Sequence, residues 1–323
     1  MTGSVTVEPF APRTLMWTVF VPMAVYSLGF GAAAPMYVLR ALDLGASPGT
    51  AGLMVGLTGF GMVLADLPAG SIVARIGERG AIVVGSAVGV LGVIAALWAP
   101  GLGVFALGMV LIGVSGAVWG LARQSYLVAV VAPSHRGRAL SMMAGASRFG
   151  TFCGPFLGAL PVHALGPDGA LWMQLITTVI SAAAMMAISV DGDRAGADTR
   201  SMRVVVVENR RVLATLGSGA LLVGAARSAR LTLLPLCAAQ VGVGAAATSV
   251  IFGIAGAVDV LMSYPAGVWI DRGPIIVGVM SAVTVLGAAA VTMAATSAAG
   301  AESMRRWFPD VPETRATDAG ARR

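Results

Sequence analysis

Asp66-Leu-Pro-Ala-Gly-Ser-Ile-Val-Ala-Arg-Ile-Gly-Glu-Arg-Gly80 is a short polar hinge between two long apolar segments. It recurs in altered form as Tyr264-Pro-Ala-Gly-Val-Trp-Ile-Asp-Arg-Gly273. In both copies Pro-Ala-Gly ends an apolar segment and an Arg follows five residues after the Gly: Arg75 after Gly70, Arg272 after Gly267. A distant recurrence of this kind marks two related halves, each built on the same membrane hairpin.

Composition agrees with a membrane protein. The chain is 57% hydrophobic and 11% charged, with mean hydropathy +0.86, whereas soluble domains carry about 25% charged residues. All 21 cationic residues are Arg. Most lie in loops and not on one basic face, so the pI near 10.3 does not point to nucleic acid. Cys153 and Cys237 fall inside apolar segments and read as buried thiols, not as a disulfide. No cleavable signal peptide is evident: the first apolar run is too long for one and lacks a basic lead.

Taken in order, a polar lead precedes a first apolar span from about Leu15 to Tyr37, long enough to cross a hydrocarbon core of roughly 30 Å. Further spans are expected at 49–70, 80–99, 103–125, 139–161 and 169–189. A polar segment at 191–212 interrupts the series, and three more spans follow at 213–238, 245–267 and 275–299. With the N-terminus inside, the cytoplasmic loops hold eleven Arg, among them Arg13, Arg75, Arg79, Arg136, Arg138 and Arg272, against Arg40 alone in the external loops. The positive-inside rule therefore orients the chain with a cytoplasmic N-terminus, and 191–212 becomes a cytoplasmic linker. Arg305 and Arg306 break the rule, because after nine spans the tail would lie outside.

The hinge resembles the signature of the major facilitator superfamily of secondary transporters, roughly Gly-x-x-x-Asp-Arg-x-Gly-Arg-Arg between the second and third helices. The first copy supplies Gly70, Arg75, Gly77 and Arg79, with Ala74 in the place of the family's Asp; the second keeps Gly267, Asp271, Arg272 and Gly273. Gly150-Thr-Phe-Cys-Gly154-Pro155-Phe-Leu-Gly158 on the fifth span resembles the Gly-Pro element of the family's exporters that exchange substrate for protons. Gly at i, i+4 and i+8 lets a neighbouring helix approach, and the Pro bends the helix. The family's second half has six helices and this one shows three. The expectation is an all-α membrane protein of about nine transmembrane helices in a shortened chain. It comprises a six-helix bundle at 1–190, the linker at 191–212, a partial bundle at 213–299 and a polar tail at 300–323 that is not native to the fold.

Charges inside a membrane are costly, about 2.5–3.5 kcal/mol each on insertion scales, so each needs a reason. The first half has Asp66, Arg123 and Arg148; the second has Arg227, Arg230 and Asp259. Arg227 and Arg230 share a helix face, and Asp259 on the next, antiparallel helix lies at a similar depth. This is a candidate substrate or proton pathway together with Arg148, which is read as lining a central cavity; a permanent salt bridge is the alternative. Arg123 reads as snorkelling from a helix end. Asp66 reads as an inner-gate partner of Arg75 or Arg123. His135 and His163 occupy opposite loops and cannot form a metal pair. Trp17, Trp119, Trp172 and Trp269 read as an interfacial belt.

No phosphate-binding Gly-x-x-x-x-Gly-Lys loop, His-Glu-x-x-His or nucleophile elbow occurs, so neither an enzyme nor an ATP-driven pump is expected. No cofactor is expected, and the partners are the lipid bilayer, a small-molecule substrate and protons. The resemblance implies secondary transport by alternating access, as a proton-coupled efflux antiporter of the cell membrane. The alternatives are a non-transporting remnant or membrane interaction subunit, and uptake of an anionic small molecule.

Overall fold

The computed structural model describes residues 15–187 and 231–256, and their regular structure is all helical. The predicted linker at 191–212 and the tail at 300–323 lie outside the described residues, as do Arg227, Arg230, Asp259, Gly267, Asp271 and Arg272.

Helix α1 spans Met16–Asp43, opening with a π-helical stretch, Met16–Phe20, before the α-helix Val21–Asp43. Helix α2 is Pro48–Leu97, α3 is Leu102–Val130, α4 is Arg136–Leu165 and α5 is Pro167–Ala187. A 3-10 turn, Pro133–His135, joins α3 to α4. Two short apolar helices follow, α6 at Leu231–Gln240 and α7 at Ala245–Gly256. Among the described residues, five segments are long and apolar enough to cross a membrane: α1, two arms of α2 (Pro48–Asp66 and Arg75–Leu97), α3 and α5. Helix α4, the predicted fifth span, has 30 residues but is more polar, carrying Arg136, Arg138, Ser141, Ser147, Arg148 and Thr151.

The start of α2 follows local rules. Ser47 stands at the N-cap, its hydroxyl accepts from the Thr50 backbone N–H at 3.2 Å, and Pro48 fills the first helical position. Its middle corrects an expectation. The hinge does not separate two helices at Pro68-Ala-Gly70; helical hydrogen bonding continues through Pro68 and the chain kinks only at Gly77, with φ 74° and ψ 170°. That backbone region is essentially restricted to glycine. Proline at 68 bends a helix without having to end it when neighbouring helices support the chain.

Packing depends on small residues. Along the α1–α4 crossing, a Cβ placed on Gly150 would strike the Ala24 carbonyl, one on Gly154 the Leu28 carbonyl and the Ala32 amide, and one on Gly158 the Ala32 side chain. From the other side, Gly31 lies against the Thr151 carbonyl. Pro155, four residues on, lacks the N–H that would have bonded this carbonyl. The α2–α3 crossing repeats the device with Gly61 on the Val110 carbonyl, Gly113 on the Thr58 carbonyl, and Gly92 facing Gly108. Without a hydrophobic drive between helices in lipid, such close backbone approach is a main source of association energy. The largest buried cluster sits at the end of the bundle near Arg40 and includes Tyr37, Leu39, Phe105, Met109 and Leu171. Leu236 and Ala239 of α6, with Ala245 and Ala246 of α7, pack onto that same cluster.

Gly154→Val must displace backbone, so its cost should reach or exceed the upper end of the usual 1–3 kcal/mol for overpacking, about 3 kcal/mol. Gly116→Ala, where a Cβ meets nothing within 4 Å, should be neutral or stabilising by up to about 1 kcal/mol. Thermal unfolding in detergent compares them; equal midpoints would contradict the close-packing account.

Candidate functional site

The bundle holds one deeply buried cation among its described residues, and it is not the one the sequence favoured. Trp119 and Arg123 lie one turn apart on α3, which places them on one face. That face meets Met23 and Tyr26 of α1. The Arg123 guanidinium is 5.0 Å from the Trp119 ring and 5.5 Å from the Tyr26 ring, and the two rings stack with centroids 4.5 Å apart. Its Nε donates to the Trp119 carbonyl at 2.9 Å, and Nη1 contacts the Met23 sulfur. Trp119 Nε1 donates in turn to Ser86 Oγ at 2.8 Å, which donates to the Ile82 carbonyl.

Two expectations are corrected here. Arg123 is 4% exposed and does not snorkel. The reason is the helix boundary: α3 continues to Val130, five residues beyond the expected end, so Arg123 lies about 10 Å inside it. Trp119 is fully buried and hydrogen-bonded, not part of an interfacial belt. Trp17 is 69% exposed, and Trp172 meets Trp98 edge to face at the other end of the bundle.

Other polar contacts pin the helices together. Tyr37 of α1 donates to Gln174 Oε1 of α5 at 2.6 Å in a buried setting, and Ser27 of α1 meets Ser147 of α4 at 2.9 Å. Arg40 ties three helix ends: it donates to the Leu97 carbonyl at 2.9 Å and its Nε stands 3.3 Å from Asp168 Oδ1. That second contact is an ion pair without hydrogen-bond geometry. Arg136 donates to the Val131 carbonyl at 3.1 Å, just past the end of α3. Cys153 and Cys237 are free thiols, each only partly buried.

Arg148 is exposed on α4, and no described residue accepts from it. Because α4 begins at Arg136, it lies about 18 Å from that helix end, deeper than the sequence boundary implied. Asp66 and Arg75 are exposed and do not pair in this conformation, nor does Asp66 reach Arg123; the expected gate contact is absent among the described residues. Arg79 is exposed just past the kink, and Gly70 meets only the Leu121 side chain. The Gly-Pro element occupies a junction. Its glycines bury against α1, while Ser249 of α7 donates to the Pro155 carbonyl at 2.8 Å and Gly253 lies against the Phe156 ring.

Reasoning from sequence missed the cage of Tyr26, Trp119 and Arg123, the Tyr37–Gln174 bond and the Arg40–Asp168 pair. The Trp-x-x-x-Arg spacing on an apolar helix was the available signal for the first, and an acidic residue in the first turn of α5 for the last.

A bundle of long apolar helices with glycine-mediated crossings is the build of a helical membrane protein. The family model described as Major Facilitator Superfamily matches residues 19–304, and the chain belongs to that family of secondary transporters of small solutes. No curated protein matches the chain.

Arg123→Lys keeps the charge but loses the planar group over two rings. Cation–π contacts are worth about 0.5–2 kcal/mol, so a loss of about 1–2 kcal/mol is expected in detergent unfolding, with a change in tryptophan fluorescence. Arg123→Lys with unaltered stability and spectrum would show the cage to be incidental.

Proposed function

We propose that the chain is a proton-coupled efflux antiporter of the cell membrane with a cytoplasmic N-terminus, moving a small organic solute by alternating access between two bundles, 1–190 and 213–299. The observation that carries this reading is the position of α4. It packs on α1 by its glycines and meets α7, from the second bundle, at Pro155 and Phe156. Arg148, on the same helix, is seven residues or about 10 Å from that seam, exposed and without an acceptor among the described residues. A cation beside the junction of two moving bodies is suited to a substrate or proton path.

Packing of α6 and α7 at the Arg40 end supports a state closed on the outside, given the orientation that the Arg distribution implies. In this reading Asp259 is the titrating group, its affinity for a proton set by burial against attraction to Arg227 and Arg230. Gly267, Asp271 and Arg272 form the second hinge, matching Gly70, Arg75, Gly77 and Arg79 of the first. Uptake of an anionic solute held by Arg148 and Arg227 is the second reading, favoured by the charge of Arg148, which no described residue answers.

Proteoliposomes with an imposed pH gradient test both, using ethidium for efflux and a radiolabelled organic anion for uptake. Asp259→Asn should cut gradient-driven ethidium movement at least tenfold, and proton-driven transport at the wild-type rate would remove Asp259 from the mechanism. Arg148→Ala with intact efflux but lost anion accumulation would favour the second reading.

A further inference from the structure

The side of α4 around Arg148 carries chemistry that bears on the kind of solute. Arg148, Phe152 and Phe156 follow one another at four-residue steps, so they share one side of the helix, away from the glycines that bury against α1. Phe152 and Phe156 are half-buried and meet edge to face, with ring centroids 5.4 Å apart and planes at 72°. From the far side α7 holds the Phe156 ring, where a Cβ on Gly253 would come within 2.7 Å of it. Long side chains on a helix lean toward its N-terminus, so the Phe152 ring leans over the turn that carries Arg148. Beyond Arg148 the next turn is bare: Ala144 and Gly145 are exposed, and a Cβ on Gly145 would meet nothing within 4 Å.

Two independent observations define what fits here. The first is charge. Arg148 stands about 18 Å from the start of α4, with no bond or ion pair to any described residue. A guanidinium at that depth faces a bundle interior or an aqueous cavity, not acyl chains. Its planar fork takes a carboxylate through two parallel N–H···O bonds. Helix α4 has no Asp or Glu, so nothing on it would hold an organic cation beside that charge. The second is the ring pair. Two phenyl groups set edge to face offer a third ring the same offset or edge-on contact, whereas a saturated group gains only burial there. Arg148 and Phe156 are eight residues or about 12 Å apart along the helix, a span that suits an acid of one or two rings.

We infer that the solute bound beside Arg148 is an aromatic carboxylate, with its acid group on the guanidinium and its ring against Phe152 and Phe156. This rests on the reading of Arg148 as part of the solute path, and it holds for export and uptake alike.

Equilibrium binding to the full chain in nanodiscs, with tritiated 2-naphthoate as the probe, needs neither a gradient nor a direction of transport. 2-Naphthoate should bind at least fivefold more tightly than decahydro-2-naphthoate, its saturated analogue, and 2-naphthylmethylammonium should not compete. Arg148→Gln should lower naphthoate affinity at least tenfold, and Arg148→Lys by less, since a point charge remains without the fork. Phe152→Leu keeps the bulk and should reduce the preference over the saturated acid to below twofold. Wild-type protein that binds no naphthoate, or binds both acids equally, would overturn the assignment, as would unchanged affinity in folded Arg148→Gln. Ethidium movement in proteoliposomes separates this inference from the reading beneath it. If ethidium movement falls in Arg148→Gln while the wild type binds no naphthoate, the path stands and the aromatic acid is wrong. If neither ethidium movement nor naphthoate binding responds to Arg148→Gln, the path itself is wrong.

Discussion

The contact between α1 and α4, made where side chains are missing, governs the rest of this structure. Lipid tails are as apolar as leucine, so helices gain nothing from burying grease against grease. Gly150, Gly154 and Gly158 substitute close backbone approach, and Pro155 adds an unsatisfied carbonyl at Thr151 that Gly31 covers. Because α4 is held this way along one face, its other face is free to be polar, which explains why a 30-residue helix within the bundle is the least apolar of the long ones. Between Gly154 and Gly158, Ser249 of α7 reaches the Pro155 carbonyl. One helix thus joins α1 to α7.

Arg123 and Arg148 have opposite environments. Arg123 has its charge spread over two stacked rings, one carbonyl and a thioether, an arrangement that offsets part of its desolvation without any carboxylate. It is a structural cation whose loss would loosen the α1–α3 contact. Arg148 has no such compensation from described residues and is exposed mid-helix. An arginine that costs energy to hold and does not repay it in packing is the better candidate for work on a solute.

Much of the architecture was legible because membrane spans are long and uniform: the positions of α1, α3 and α5, the polarity of the loops and the glycine spacing on α4 all read directly from residue type. What failed was resolution at helix ends. Ending the fourth span at Tyr126's neighbour instead of Val130 moved Arg123 to the interface and turned a caged cation into a snorkelling one. Reading Pro68-Ala-Gly70 as a terminus followed the usual rule for proline, yet tertiary support carries the helix on to Gly77. The Tyr37–Gln174 and Arg40–Asp168 contacts join residues far apart in the chain, and no local pattern couples such partners. The gate expected of Asp66 with Arg75 or Arg123 rested on a lone carboxylate placed near its helix end, and neither pairing forms among the described residues in this conformation.

Gly77 has a consequence for the history of the sequence. With φ 74° and ψ 170° it occupies a backbone state that even asparagine and aspartate rarely reach. A single base change in a glycine codon yields only residues bearing a Cβ, so every missense route out of this position begins with strain at the one swivel between the arms of α2. Drift at the neighbouring Ile76 and Glu78 meets no comparable barrier, and codon 77 is therefore expected to vary among lineages by synonymous change alone.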